Sequence, residues 1–191
     1  MRIGPIITLL LITLAASALW WLETLRHTEP VVTADPAERH APEAYFVHFR
    51  ARAWAEEGLP RHVTHGERMT RFTDDRSNEV EQPEIHYRDP VGPPWYVVSE
   101  RGRVDADGDR IDLTGNVVAT RGVDAPDPLI LHTDALQIRL GTGRATTDDP
   151  VDVFTTGSRV HSVGMTATFD SGLVELHSNV RGHHDPASST P

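Results

Sequence analysis

The sequence predicts an all-β, antiparallel domain of many short strands behind one N-terminal transmembrane helix. Three observations predict it. Apolar residues of the body recur at every second position, the spacing of a strand with one buried face, while helical spacing is scarce. Gly, Pro, Asp and Asn interrupt these runs every eight to twelve residues, as turns between antiparallel strands do. Ahead of them lies an uncharged run of twenty residues, Ile3 to Leu22.

At about 1.5 Å rise per residue, a helix of that length covers roughly 30 Å, the hydrocarbon thickness of a bilayer. Pro5 falls in the first turn, where its missing N–H costs little, and Trp20 and Trp21 stand at the far end, where indoles favour the headgroup layer. Arg2 and the free amine precede the run, and the positive-inside rule then places the N-terminus in the cytoplasm. Ala16-Ser17-Ala18 fits a signal-peptide cleavage site, but the apolar run continues through Leu19 to Leu22, which favours a retained anchor. Either reading exports the rest of the chain. Residues 1–26 are read as a cytoplasmic stub and anchor, and 27–42, with three prolines, as a flexible linker. Residues 43–182 form the β domain and 183–191 a polar, disordered tail.

The domain opens on Tyr45, Val47, Phe49, Ala51 and Ala53, alternating with Phe46, His48, Arg50, Arg52 and Trp54. Asp107-Gly108 supplies a hairpin turn between Val104 and Ile111, and Gly141 to Gly143 and Ser171-Gly172 supply two more. A weak repeat underlies the pattern. Gly66, Ser99, Thr133 and Ser162 start similar segments, and 17 positions later stand Pro83, Asn116, Pro150 and Asn179. Three positions into the units come Met69, Gly102, Leu136 and Met165; fourteen in come Val80, Leu113, Thr147 and Leu176. Each unit reads as a strand–turn–strand that buries its apolar side only by stacking on its neighbour.

Composition narrows the chemistry. The chain has no Cys, which excludes disulfides, thiolate metal sites and a Cys nucleophile. All 18 cationic side chains are Arg, so there is no Walker A lysine and no Schiff-base amine. A formal charge of −10 with no basic tract argues against a nucleic-acid partner. Asp105 to Asp109 resembles the start of a calcium loop, but Arg110 and Asn116 stand where an EF-hand needs Gly and Glu, and a hairpin turn accounts for the run. His62 with His65, three apart, point to opposite faces of a strand, and His183 with His184 lie in the expected tail, so neither pair makes a metal site. Ser99, Ser158 and Ser162 lie in no nucleophile elbow, and Gly141-Thr142-Gly143 is too short for a dinucleotide fingerprint. Glu56-Glu57 and Asp148-Asp149 read as acidic turns. No catalytic constellation and no cofactor site emerges.

The order of landmarks resembles the LptC family, the bitopic component of the lipopolysaccharide export system. They run from the anchor to Gly182 and include Tyr45-Phe46, Gly58, Glu67-Arg68-Met69, Pro83, Pro93-Pro94-Trp95 and Gly102-Arg103-Val104. Then come Leu113 to Val118, Asp149-Pro150-Val151, Gly164-Met165 and Asn179 to Gly182. Gly66 departs from the Ala that the resemblance leads one to expect. The resemblance implies an open, twisted OstA-like β-jellyroll with a lipid-binding interior, anchored in the inner membrane with its domain in the periplasm. It also implies lipopolysaccharide as cargo, an inner-membrane ABC transporter of permease subunits and ATPase as donor, and a periplasmic bridge protein as acceptor. It names no catalytic residue and no cofactor.

In such a fold the inward half of the alternation lines the groove. The candidates are Val97, Val104, Ile111, Leu113, Val117, Ile138, Val151, Val160, Met165, Leu176 and Val180, with core packing as the competing role at each. Terminal strands without a partner on one side invite β-strand addition. Tyr45, Val47 and Phe49 are the candidates facing the membrane complex, and Val174 and Leu176 those facing the bridge. Two other readings use the same fold: an envelope scaffold or binding module without lipid, and a metal-dependent cupin-like enzyme.

Overall fold

Among the described residues, apolar alternation broken by turn residues yields eleven strands in one antiparallel sheet. The computed structural model describes residues 40–55, 58–88 and 92–184. The expected anchor, the linker up to residue 39 and the tail from residue 185 lie outside the described residues. Among the described residues no helix is long and apolar enough to cross a membrane. The strands are β1 (Pro42–Trp54), β2 (Pro60–Phe72), β3 (Asn78–Glu81), β4 (Glu84–Tyr87), β5 (Trp95–Val98) and β6 (Arg101–Val104). They continue with β7 (Arg110–Arg121), β8 (Leu129–Arg139), β9 (Arg144–Thr155), β10 (Ser158–Thr168) and β11 (Leu173–His184). β11 thus carries His183 and His184, expected in the tail, into pairing with Arg159 and Ser158.

β1, β7, β10 and β11 run longer than the sequence pattern suggests, and each holds a left-handed residue near its middle. His48, Asn116 and Asn179 adopt φ of 51°, 46° and 51°, and Gly164 one of 78°. A left-handed residue inside a strand interrupts the ladder and bends it. The pairing registers of β7 with β8, β8 with β9, and β10 with both its neighbours are interrupted at the same level. β2 and β7 are bridged on one side of this crease by β3 and β6, and on the other by β4 and β5. The crease divides the sheet into two leaves.

Cross-strand partners trace the inner face of each leaf. On the first leaf, Val104, Ile111, Ile138, Ala145, Ala167 and Val174 form one row of successive partners. On the second, Thr64, Ile85, Val97, Ala119, Leu131, Val153, Val160 and Gly182 form another. The rows face each other across a core that is dry at its centre, with Ile85, Val97 and Ile138 fully buried.

The crease explains the repeat. Met69 pairs with Val80, Gly102 with Leu113, and Met165 with Leu176, so each unit is one hairpin of the first leaf. The opening hydroxyls share one bond: Ser99 Oγ donates to Arg101 O at 2.9 Å, Thr133 Oγ1 to Ala135 O at 3.4 Å, and Ser162 Oγ to Gly164 O at 3.5 Å. Each gives a carbonyl beside the crease a side-chain donor. The crease also shifts the faces of β1. Phe46 pairs with Met69 and Phe49 with Gly66, on the two sides of His48, so Phe46 and Phe49 share the inner face. Tyr45 pairs with Thr70 and Val47 with Arg68, on the outer face. The strict alternation from Tyr45 to Ala53 therefore does not mark a single face.

Gly66 is the unit opening without a hydroxyl, for a steric reason. A Cβ there would lie 2.5 Å from Phe49 Cε1 and 2.8 Å from Val80 Cγ1. Gly66→Ala is expected to lower folding stability by about 1–3 kcal/mol, the usual cost of overpacking. Phe49→Leu in the same chain should remove much of that loss. A double-mutant cycle by urea denaturation checks this, and additive effects would show that the Phe49 ring is not what excludes the methyl.

Candidate functional site

The interior is filled at its centre and exposed at both edges of the sheet. Of the groove candidates, Val97, Ile111, Leu113, Val117, Ile138, Val151 and Met165 are buried in the close-packed core. Val104, Val160 and Leu176 are half-buried against it, and Val180 is 52% exposed. Alternation assigned these side chains to one face but not to a depth. The edge candidates fall at the rims. On β1, Tyr45, Phe46 and Val47 are exposed and Phe49 half-buried. On β11, Val174 and Leu176 pack against the core, while residues 177–184 are exposed throughout.

Two concavities on the sheet, of about 550 and 590 Å³, are lined largely by polar and charged side chains. The first holds Glu79, Glu81, Arg101, Arg103 and Asp112; the second holds His48, His65, Glu67 and Glu84. The second, walled by imidazoles and carboxylates, suits no acyl chain. The acidic run at Asp105 is a hairpin turn in which Gly108 takes φ 75° and Asp105 Oδ1 accepts the N–H groups of Asp109 and Arg110. His40, Asp74 and Asp75 converge near the start of β1, but Asp75 already accepts from Ser77 N and Arg103, so its oxygens are committed.

Sequence reasoning missed the group where the leaves meet at their tips. Tyr87 and Trp95 of the second leaf close on Phe169, at the end of β10 on the first, and all three are fully buried. Arg61 and Asp170 stand on their solvent side. Pro93-Pro94-Trp95 was a landmark by resemblance, but nothing in local spacing tied it to Phe169, 74 residues away. Burial above all pushes the Tyr87 phenol above its ordinary value.

Burial, assisted by the Arg61 charge, holds His62 below the ordinary imidazole value of 6.5. Burial and His65 do the same for His86. The unfolded chain therefore binds these protons more readily, and stability rises with pH wherever that holds. Asp74, through its hydrogen bond with His40, and Asp75, through the Ser77 N–H, lie below the ordinary carboxyl value of 3.8 and act with the same sign. The contributions are complete above 6.5 for the imidazoles and above 3.8 for the carboxyls. Urea midpoints are expected to fall as pH is lowered through each range, and a midpoint that rises on acidification would contradict this assignment.

A family model described as lipopolysaccharide-assembly, LptC-related, matches residues 8–185. No curated protein matches the sequence. Among solved structures, LptH of Pseudomonas aeruginosa, described as the LptA-homologous periplasmic component of the conserved lipopolysaccharide transport device, superposes with a TM-score of 0.45. The two chains are 7% identical over 75% of this chain and 94% of that one. The family match runs through every described strand, from ahead of β1 to the end of β11, and on that match this chain belongs to the LptC family of lipopolysaccharide transport.

Proposed function

We propose that this chain is a membrane-anchored β-jellyroll carrier. It receives lipopolysaccharide from an inner-membrane ABC transporter at its β1 edge and passes it to a periplasmic bridge protein at its β11 edge. The observation that carries this reading is an apolar inner face that crosses the sheet in continuous rows and ends in exposed edge strands. Exposing an acyl chain to water costs about 0.8 kcal/mol per methylene, so a chain of about a dozen carbons costs on the order of 10 kcal/mol. An apolar inner face removes that penalty during transit. Movement between like surfaces changes burial little, so the carrier conducts lipid without driving it. Force then comes from the ATPase of the transporter, and no covalent chemistry is asked of this chain. In this reading residues 1–26 comprise a cytoplasmic stub and the single membrane anchor, with the N-terminus cytoplasmic and the β domain periplasmic.

Val104 is the candidate position best suited to a test, because it is half-buried beside the core and tolerates a larger side chain better than fully buried Ile138. A photoreactive residue at Val104 of the full-length protein is expected to capture labelled lipopolysaccharide in energised membranes. Correct assembly with the partners but no lipid capture would leave the scaffold reading in its place.

A further inference from the structure

Phe169 and Asp170 fasten the tip of the first leaf to that of the second. The Phe169 ring lies 5.1 Å from Tyr87 and 4.9 Å from Trp95, centroid to centroid. Trp95 Nε1 donates to the Phe169 carbonyl at 3.3 Å, and Tyr87 OH donates to Asp170 Oδ1 at 3.0 Å. The same phenol accepts from Arg61 Nε at 3.1 Å, and Arg61 Nη2 lies 3.8 Å from Asp170 Oδ2. From the first leaf, Gly143 O accepts the Phe169 N–H at 2.7 Å, while the Gly143 α-carbon leaves room for the phenol. A Cβ there would fall 2.7 Å from the Tyr87 oxygen.

The fastening has two layers of different character. Its inner layer is three dry rings, and its outer layer is a phenol, a guanidinium and a carboxylate. The Arg61 and Asp170 side chains are 35% and 43% exposed, so water replaces their contacts cheaply. Behind both layers the core is filled, with Ile85, Val97 and Ile138 fully buried. An acyl chain therefore finds space between the leaves only if the leaves part.

We propose that Arg61, Tyr87, Trp95, Phe169 and Asp170 form a latch that holds the leaves together and must release for lipid to enter the interior. The described structure is the latched state. This inference rests on the carrier reading and adds to it where the interior opens. A lipid that binds only the parted state is held with an apparent affinity scaled by the fraction of molecules that are open. Holding the latch shut should therefore block capture, and loosening it should raise capture.

The absence of native cysteine makes the test specific. Arg61→Cys with Asp170→Cys, in the full-length chain carrying the Val104 photoreactive residue, is joined by a short reducible bifunctional thiol linker. Capture of labelled lipopolysaccharide is expected to fall about tenfold or more when the linker is in place, and to return on reduction. Tyr87→Phe, which removes only the hydroxyl, should raise the rate of capture severalfold without any linker. Full capture with the linker complete, or an unchanged or slower rate in Tyr87→Phe, overturns the latch and leaves the carrier reading standing. No capture by the Val104 probe chain with the native latch overturns the carrier reading, and the latch with it.

Discussion

Trp95→Ala is expected to destabilise the domain by about 3–5 kcal/mol, the range for truncating a buried aromatic to Ala. Trp95 opens β5, pairs with Tyr87 on one side and Arg121 on the other, and is fully buried. Its truncation leaves a void between the leaves and removes one of the two donors to the Phe169 carbonyl, which keeps the Gly172 N–H. The lost indole hydrogen bond adds to the cost of the cavity. β5 has four residues, so its short ladders offer little to compensate. Two controls separate the terms. Trp95→Phe keeps most of the ring packing and loses the N–H, and should cost about 1–2 kcal/mol. Trp54→Ala removes an indole that is 60% exposed and should stay within about 0.5 kcal/mol. Urea denaturation of the three variants gives the ranking, and equal losses at Trp95 and Trp54 would refute the proposed packing.

Those two tryptophans show where sequence reading stops. Both sit at the end of a strand and beside charged or turn residues, and nothing local tells the buried one from the exposed one. What decides is Phe169, whose approach depends on how the two leaves cross. The hairpins were legible because their signals are local. Asp107-Gly108 makes its turn, braced by Asp105 Oδ1 accepting the N–H groups of Asp109 and Arg110, and the spaced hydroxyls mark the crease with one repeated hydrogen bond. On β7 and β8 the candidates Ile111 and Ile138 fall in one row of cross-strand partners, and the row continues through Ala145 and Ala167, which the sequence reading did not name. The inner face was misread on β1, because one left-handed residue at His48 moves the inner position from the odd to the even side. Depth was not legible at all. Val97 and Val180 look alike in sequence, yet one is fully buried and the other more than half exposed, because only one has strands on both sides.

That difference makes Val180 the position for the second large effect. Under the proposed function, the β11 edge accepts a strand from the bridge protein, and the joint must continue the apolar inner face. Val160 pairs with Gly182, and Val180, two residues before it, shares that face at the rim. Val180→Asp places a carboxylate where a docked partner would exclude water, and an unpaired charge in such a joint is costly. Capture of the bridge protein by the full-length chain is expected to fall about tenfold or more, since each 1.4 kcal/mol is tenfold in affinity. Folding stability should stay within about 0.5 kcal/mol, because the free side chain is already in water. Leu176→Asp would lower both, since Leu176 packs against the core, and its loss of capture would say nothing of docking by itself. Phe46→Asp, at the 49% exposed inner position of β1, should spare the bridge and weaken assembly with the transporter instead. If Val180→Asp kept full capture while Phe46→Asp abolished it, the two edges would have exchanged partners and lipid would leave by β1.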